Sequence, residues 1–152
     1  MKKPALFVVT ALLLFIGCTT QQEKEDIEGV WEMVSAHWFY ETLNITYPQD
    51  MEGGQIKSWQ DGYVLLAGTI KWTGTIKIDS MEETVSYMAA SYTLDGNKYQ
   101  ENVIYHDWTV PEGTVINMIL EVHGDTLIQK FPADENWNLG EEFMYEKYVR
   151  VE

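Results

Sequence analysis

The chain has 152 residues, of which 45% are hydrophobic and 13% aromatic, and its 24 acidic and 10 basic residues give a formal net charge of −14. This length and composition predict one globular domain with a substantial core. The strong negative charge and the lack of a basic cluster argue against binding of nucleic acid or of a bare anionic membrane. The single cysteine, Cys18, excludes an internal disulfide.

The first 18 residues have the organisation of an export signal. A positive start, Met1-Lys2-Lys3, precedes an apolar run from Ala5 to Ile16 that is too short to span a bilayer as a helix. The following Phe15-Ile16-Gly17-Cys18 resembles the lipobox of bacterial lipoproteins, although Phe15 and Ile16 depart from its commonest residues. The resemblance implies that residues 1–17 are a cleaved signal peptide and that Cys18 carries acyl chains such as palmitate. An ordinary signal peptide with a chance cysteine is the alternative.

Residues 18–26 are polar after Cys18 and predict a flexible tether. Loss of the leader would leave 8 basic and 24 acidic residues, a net charge of −16. Thr19 stands where an inner-membrane retention signal has Asp, so the resemblance to Gram-negative lipoproteins implies the outer membrane. The charged run Glu23-Lys24-Glu25-Asp26 raises the hypothesis of surface export, which leaves the periplasmic and the surface face both open.

From Ile27 onward the apolar residues alternate with period two, which predicts strands, and helix signals are nearly absent. Residues 73–78 either continue the third strand or begin another, and Gly68 is a candidate for a bulge or bend. The predicted strands cover residues 29–39, 55–60, 63–72, 85–94, 98–106, 114–122, 126–131 and 142–151. The stretch after the first strand, through Pro48 and Gly53-Gly54, is predicted to be a loop.

Tight-turn signals separate several of these strands, at Asp61-Gly62, Asp95-Gly96-Asn97 and His123-Gly124-Asp125. About eight short strands joined by such turns allow a sandwich or a closed barrel. Sequential hairpins with few long crossovers favour an all-β, up-and-down antiparallel barrel over residues 27–152, and closure also removes exposed strand edges. A barrel of this size holds side chains or one small ligand.

The alternation predicts which side chains share a face of each strand. In the first strand the predicted set is Trp31, Met33, Ser35, His37 and Phe39. In the fifth predicted strand it is Tyr99, Glu101, Val103 and Tyr105.

Scattered motifs along the domain resemble those of the lipocalins. Gly29-Val30-Trp31 is similar to the Gly-x-Trp signature, and Arg150 to the arginine that packs across that tryptophan. Tyr99-Gln100-Glu101, Gly124-Asp125-Thr126-Leu127 and the ending Lys147–Val151 resemble small bacterial lipoproteins with a lipocalin-like, calycin-type domain. The Thr-Asp-Tyr motif and a C-terminal helix are not recognisable. The resemblance implies a structural role in barrel closure for Gly29, Trp31 and Arg150, and a relation to lipocalin-like proteins whose ligands are mostly unknown.

Aromatic residues and one carboxylate are the candidates for a ligand site in the barrel. The alternative is that these rings fill a solid core. Glu101 is either a polar anchor for a ligand, an internal hydrogen-bond partner or a rim residue. The predicted ligand-binding residues are Trp59, Trp72, Tyr87, Tyr92, Glu101 and Tyr105, and Trp108 is a further aromatic candidate.

Catalytic signals are weak throughout. His37, His106 and His123 have no metal-ligand spacing and are expected to be solvated, with a single inward haem-binding histidine as a minor alternative. No serine lies in a Gly-x-Ser-x-Gly motif. We therefore expect no catalytic residue, metal or cofactor.

The sequence favours a lipid-anchored envelope monomer that binds a small apolar or amphipathic molecule. A filled, non-enzymatic barrel that docks an unknown protein partner is the alternative, and a lipocalin-type isomerase or a hydrolase is a third hypothesis. The two leading hypotheses differ in whether the barrel has a cavity.

Overall fold

The computed structural model describes residues 27–40, 43–73, 83–107 and 110–151. The predicted signal peptide (residues 1–17), the lipidated Cys18 with its tether and the candidate Trp108 lie outside the described residues, as does the side chain of Trp72.

The described residues form nine β-strands and no helix. The strands are β1 (Gly29–Tyr40), β2 (Leu43–Tyr47), β3 (Met51–Gln60), β4 (Tyr63–Trp72), β5 (Glu83–Asp95), β6 (Lys98–His106), β7 (Val115–His123), β8 (Thr126–Ala133) and β9 (Leu139–Arg150). All eight predicted strands are present, and β2 is an addition in the stretch predicted as a loop.

Every pairing between neighbouring strands is antiparallel, and β1 also pairs with β9, so the sheet closes on itself. Eight strands, β1 and β3 to β9, make the barrel, and β2 pairs with β1 beyond the point where β1 leaves β3. The predicted up-and-down all-β barrel is confirmed. Its architecture is consistent with a lipocalin-like fold.

The two ends of the barrel differ in their connections. Three two-residue turns lie at one end, which we call the turn end: Asp61-Gly62, Gly96-Asn97 and Gly124-Asp125. At the first of them Asp61 and Gly62 have φ values of 50° and 81°, as a tight hairpin with the right twist requires. The opposite end, the loop end, carries the β1–β2 and β2–β3 connections and the chain between β4 and β5, β6 and β7, and β8 and β9.

The stretch around Gly53-Gly54 was predicted as a loop, and the prediction is wrong there. Both glycines lie in β3, opposite Ile70 and Thr69 of β4. A Cβ at Gly53 would lie 2.0 Å from the Thr69 carbonyl oxygen, so the glycine permits a close approach of two strands. Composition alone does not separate this use of glycine from its use in a turn.

Two β-bulges change which side chains face the interior. In β1, Met33 pairs with Tyr148 and Ser35 with Lys147, so Val34 is an extra residue. Because one extra residue reverses the alternation, the face shared by Trp31 and Met33 continues through Ala36 and Trp38. The predicted continuation through Ser35, His37 and Phe39 is therefore wrong.

The second bulge lies in β6. Ala89 pairs with Tyr105 and Ala90 with Val103, which leaves Ile104 as the extra residue. Tyr99, Glu101 and Val103 face inward as predicted, but Tyr105 is 67% exposed on the outer surface. Its predicted place beside Glu101 is wrong for this reason.

The barrel interior is filled by the inward side chains of all eight strands. The buried core consists of Ile27, Trp31, Met33, Ala36, Trp59, Val64, Met88, Ala90, Tyr99, Met118, Leu120, Leu127 and Tyr148. Dense packing of these side chains supplies most of the apolar burial of the domain.

Candidate functional site

Five buried polar side chains lie inside the barrel, and we call them the polar layer: Gln55, Lys57, Glu101, Gln129 and Glu146. They come from β3, β6, β8 and β9, where each occupies an inward position of its strand. Burial of charged groups is costly unless they are paired and hydrogen-bonded. The hydrogen bonds and ion pairs of these five side chains therefore show how far the cost of burying each one is offset.

Lys57 lies at the centre of the polar layer. Its ammonium donates hydrogen bonds to Gln129 Oε1 at 2.7 Å and to Glu146 Oε2 at 3.3 Å. It also lies 5.5 Å from the ring centre of Tyr148 and 5.9 Å from that of Trp59, within the range of cation–π attraction. The charge of Lys57 is thus compensated on several sides.

Glu146 accepts three hydrogen bonds. Oε2 receives the Tyr148 hydroxyl at 2.6 Å and the Lys57 ammonium, and Oε1 receives Trp38 Nε1 at 3.0 Å. Tyr148 in turn accepts a hydrogen bond from Gln55 Nε2 at 2.7 Å. These donors suit an ionised carboxylate.

Glu101 has fewer hydrogen-bond partners than Glu146. Its Oε1 accepts the Tyr99 hydroxyl at 2.9 Å and lies 4.0 Å from the Lys57 ammonium, while its Oε2 is buried without a hydrogen-bond partner among the described residues. Trp59 Nε1 donates to the same Tyr99 hydroxyl at 2.8 Å. Burial raises the pKa of the Glu101 carboxyl, and the Lys57 ammonium only partly offsets this.

Burial also raises the pKa of two tyrosine hydroxyls in contact with these carboxyl groups. For Tyr99, burial is the largest cause and the nearby Glu101 adds to it. For Tyr148, burial again comes first and Glu146 adds to it. Both hydroxyls therefore act as hydrogen-bond donors to carboxylates.

The predicted ligand-binding residues fall into three groups. Trp59 and Glu101 are buried at 1% exposure inside the barrel, and Tyr92 is half-buried with its ring centre 5.5 Å from that of Tyr99. Tyr87 and Tyr105 lie on the outer surface, 54% and 67% exposed, so their predicted place in the interior is wrong. No contact of the Trp72 side chain is described.

Towards the loop end, Ile45 and Met51 are buried, but other interior side chains are half-buried and apolar. Trp38, Tyr47, Ile116 and Phe131, which we call the loop-end group, pack against the buried core. The hydrogen bond from Trp38 to Glu146 places this group in contact with the polar layer. Apolar side chains beside a few polar groups are typical of sites for small molecules.

The turn end is closed by contacts between the first and last strands. The Arg150 guanidinium carbon lies 4.2 Å from the Trp31 ring centre, and Arg150 Nη1 donates to the Glu28 carbonyl oxygen at 2.6 Å. Trp31 Nε1 donates to the Ile27 carbonyl oxygen at 2.9 Å. A Cβ at Gly29 would lie 2.9 Å from Arg150 Nη1, so the three residues expected to close the barrel are in direct contact.

Sequence reasoning missed Lys57, Gln129 and Glu146. A usable signal was present for two of them, because Lys57 alternates with Gln55 and Trp59, and Glu146 is two residues from Tyr148. A charged residue in register with large aromatic residues on a strand is a candidate for an interior position. Nothing local distinguishes Gln129 from an exposed strand residue.

The histidines show no common site. His37 contacts Asn44 and the Tyr145 ring, and His106 Nδ1 lies 3.0 Å from Asp107 Oδ1. Burial lowers the pKa of His106 despite the neighbouring Asp107. Within the described ranges, no group of three or more His, Cys, Asp or Glu side chains is arranged to hold a metal ion.

Comparison with models of known protein families and with curated proteins gave no match. In the part of the chain that the structure describes, no helix has the length and apolarity needed to cross a bilayer.

Proposed function

We propose that this chain is a lipid-anchored, lipocalin-like protein of the cell envelope that binds one small apolar or amphipathic molecule at the loop end of its barrel. The observation that carries the proposal is the half-buried loop-end group in contact with the polar layer. Apolar side chains would receive the body of the ligand, and the polar layer would meet its polar part. We propose no reaction, because the contacts of the polar layer are hydrogen bonds and ion pairs among its own side chains and their neighbours.

The filled interior limits how deep such a ligand can lie. Trp31, Trp59, Tyr99 and Tyr148 are each at most 1% exposed, so the interior between them and the turn end is occupied by side chains. The ligand therefore binds above these rings, and Trp59 and Glu101 support the site from below.

The sequence of the leader supports the envelope location, and one contact in the structure supports the lipocalin-like fold. The leader ending in Gly17-Cys18 resembles that of outer-membrane lipoproteins, and the contact between Trp31 and Arg150 agrees with the resemblance to lipocalins. Acyl chains on Cys18 would anchor the protein firmly, because each buried CH₂ contributes about 0.8 kcal/mol. A Cys18→Ser variant should lose incorporation of labelled palmitate, and retention of the label would contradict the anchor.

Native mass spectrometry tests the binding proposal. Residues 25–152 contain the whole closed sheet, and they would be purified without detergent or denaturant for this experiment. We expect an extra mass that denaturation releases, or enhanced emission of a fluorescent fatty-acid probe. Phe131→Ala should weaken binding because Phe131 belongs to the loop-end group, whereas Ile128→Ala, on the outer side of the same strand, should not. If the measured mass is that of the chain alone and the probe gives no response, the proposed binding of a small molecule is excluded.

A filled barrel that docks a protein partner is the second candidate function. It is favoured by the hydrogen-bonded interior, in which Trp59 Nε1 donates to the Tyr99 hydroxyl and that hydroxyl donates to Glu101 Oε1. The same mass measurement separates the two functions, because only the first requires a bound small molecule.

A further inference from the structure

The middle of the outer surface of four adjacent strands, β3 to β6, is uncharged, although 22% of the residues in the chain are charged. We call it the β3–β6 face. It is formed by the outward residues Gly54, Ile56, Ser58, Gln60, Tyr63, Leu65, Ala67, Thr69, Val85, Tyr87, Ala89, Ser91, Thr93, Gln100, Asn102 and Tyr105. Apart from the buried Lys57 and Glu101, the charged residues of these strands and their turns lie at the two ends of the face, with Glu52, Lys71 and Glu83 towards the loop end and Asp61, Asp95 and Lys98 at the turn end.

The β3–β6 face also carries a continuous set of exposed apolar side chains. Ile56, Leu65 and Tyr87 are 44%, 57% and 54% exposed. The strand register places Leu65 beside Ala89 and Tyr105, and Ile56 in the next row beside Ala67 and Tyr87. Neighbouring strands are about 4.8 Å apart, so these side chains form one patch. A contiguous apolar patch on a soluble domain marks an interaction surface.

The opposite side of the barrel has the charged surface expected of this chain. Glu121 of β7 and Lys130 of β8 form an ion pair on the outer surface with an oxygen–nitrogen distance of 2.5 Å. Glu32 of β1 and Glu142 of β9 are exposed. Charged side chains thus distinguish this side from the β3–β6 face, although exposed apolar residues such as Val34 of β1 and Val115 of β7 also occur outside that face.

The chain enters the barrel next to the β3–β6 face. Gly29, two residues after the first described residue, pairs with Trp59 of β3, so the chain enters the barrel beside the turn end of this face. Residues 19–26, between Cys18 and the barrel, reach at most about 29 Å when fully extended. A bilayer that holds an acylated Cys18 therefore stays within reach of the face.

The chemistry of the face suits a lipid surface. Tyrosine combines an apolar ring with a polar hydroxyl and is enriched at the membrane–water interface. The net charge of −16 that remains without the leader repels an anionic surface, and an uncharged side is the one that can approach it closely. A convex barrel touches a flat surface through only a few adjacent strands, and the face spans four.

We propose that the β3–β6 face lies against the lipid surface in which Cys18 is anchored, so that the barrel rests on its side on the bilayer. This inference rests on the lipid anchor of the proposed function and is independent of the ligand site. It keeps the axis of the barrel roughly parallel to the membrane and leaves the charged strands facing the aqueous phase.

Site-specific fluorescence on the full-length acylated protein tests the orientation. Cys18 is the only cysteine and its thiol is blocked by acylation, so a label can be attached at Ser58→Cys, within the face, or at Ile128→Cys, on the opposite side. The protein is reconstituted in vesicles of phosphatidylethanolamine and phosphatidylglycerol that contain a spin-labelled lipid as quencher. We expect several-fold stronger quenching and a blue shift for the label at residue 58.

Two charge variants serve as a matched pair. Leu65→Glu places a carboxylate in the centre of the face at an exposed position, and it should reduce quenching of the residue 58 label to the level at residue 128. Val34→Glu adds the same charge at an exposed position on β1 and should leave the quenching unchanged.

The outcomes separate this inference from the proposal on which it rests. Failure of the protein to float with the vesicles would overturn the lipid anchor and the orientation together. Flotation with equal quenching at both labels would overturn the orientation alone. Quenching that rises with protein density but does not depend on the spin-labelled lipid would mean that a second copy covers the face. This result would also overturn the proposed orientation.

Discussion

Glu101 and Glu146 share one buried cation but have different surroundings. Glu146 accepts hydrogen bonds from the Lys57 ammonium, a tyrosine and a tryptophan, whereas Glu101 accepts one hydroxyl and leaves Oε2 unpartnered among the described residues. A second ionised carboxylate beside a single ammonium is poorly compensated in a low-dielectric interior. Burial with so few partners is therefore the physical cause that raises the pKa of the Glu101 carboxyl, and the Lys57 ammonium offsets it only in part.

The raised pKa of Glu101 predicts a specific dependence of stability on pH. The folded state binds a proton at Glu101 more tightly than the unfolded state, so this group makes the free energy of unfolding fall as pH rises from about 4.5, its ordinary pKa, to its folded pKa. Each unit by which the folded pKa is raised lowers the free energy of unfolding above that range by about 1.4 kcal/mol. Glu101→Gln should remove this decline, as measured by denaturant unfolding from pH 4 to pH 9.

An exposed carboxylate provides the control for this measurement. Glu32→Gln on the outer side of β1 should follow the wild-type curve at every pH. Parallel curves for Glu101→Gln and the wild type would show that Glu101 titrates normally in the folded protein.

Gly68 lies in β4 at a point where β3 and β4 approach each other closely. A bulge or bend was predicted, but the register of β4 with β3 and with β5 runs without a shift through Gly68. The prediction of a bulge is wrong. A Cβ at this position would lie 2.5 Å from the Gly54 carbonyl oxygen and 3.0 Å from Gln55 Cα, so close contact of β3 and β4 requires glycine.

The β3–β4 contact predicts different costs for two neighbouring glycines. Gly68→Ala forces backbone to move and should lower the free energy of unfolding by about 1–3 kcal/mol. Gly54→Ala should change it by less than about 1 kcal/mol, because a Cβ there meets nothing within 4 Å. Thermal unfolding of both variants checks this, and equal losses would contradict the close-approach explanation.

At the scale of the whole molecule, closure depends on the pairing of β1 with β9. This pairing joins residues that are far apart in the sequence, as in Trp31 with Arg150 and His37 with Tyr145. Closure gives each of the eight barrel strands a paired neighbour on both sides over part of its length, which reduces the exposed strand edge and with it a route to aggregation. The stacked Arg150 guanidinium shields this junction at the turn end.

Arg150→Ala should destabilise the closed barrel. Loss of the stacking on Trp31 and of the hydrogen bond to the Glu28 carbonyl oxygen should cost about 1–2 kcal/mol, given that Arg150 is partly exposed. For a chain of this length the midpoint of thermal unfolding should fall by about 2–8 °C. Lys147→Ala, in the same strand and also opposite β1, is the control and should have little effect. A wild-type midpoint in Arg150→Ala would contradict a structural role for the contact.

Local patterns in the sequence were sufficient to predict the class of fold, the positions of most strands and the three turns at the turn end. These features follow from local chemistry: alternation of apolar residues produces strands, and Asp-Gly or Gly-Asn pairs adopt the positive φ values of tight hairpins. The inward positions of Trp59 and Glu101 were also predictable, because no bulge lies between them and the turn end of their strands.

The tertiary structure alone decided the orientation of Tyr105 and His37, the assembly of the polar layer and the position of the uncharged face. Tyr105 and His37 follow bulges, and a bulge reverses every later side chain without leaving a clear signal in the sequence. Lys57 and Glu146 meet only because the barrel closes, so no local pattern predicts their ion pair. The physical reason is the same in each case, since register and closure are set by contacts between distant strands.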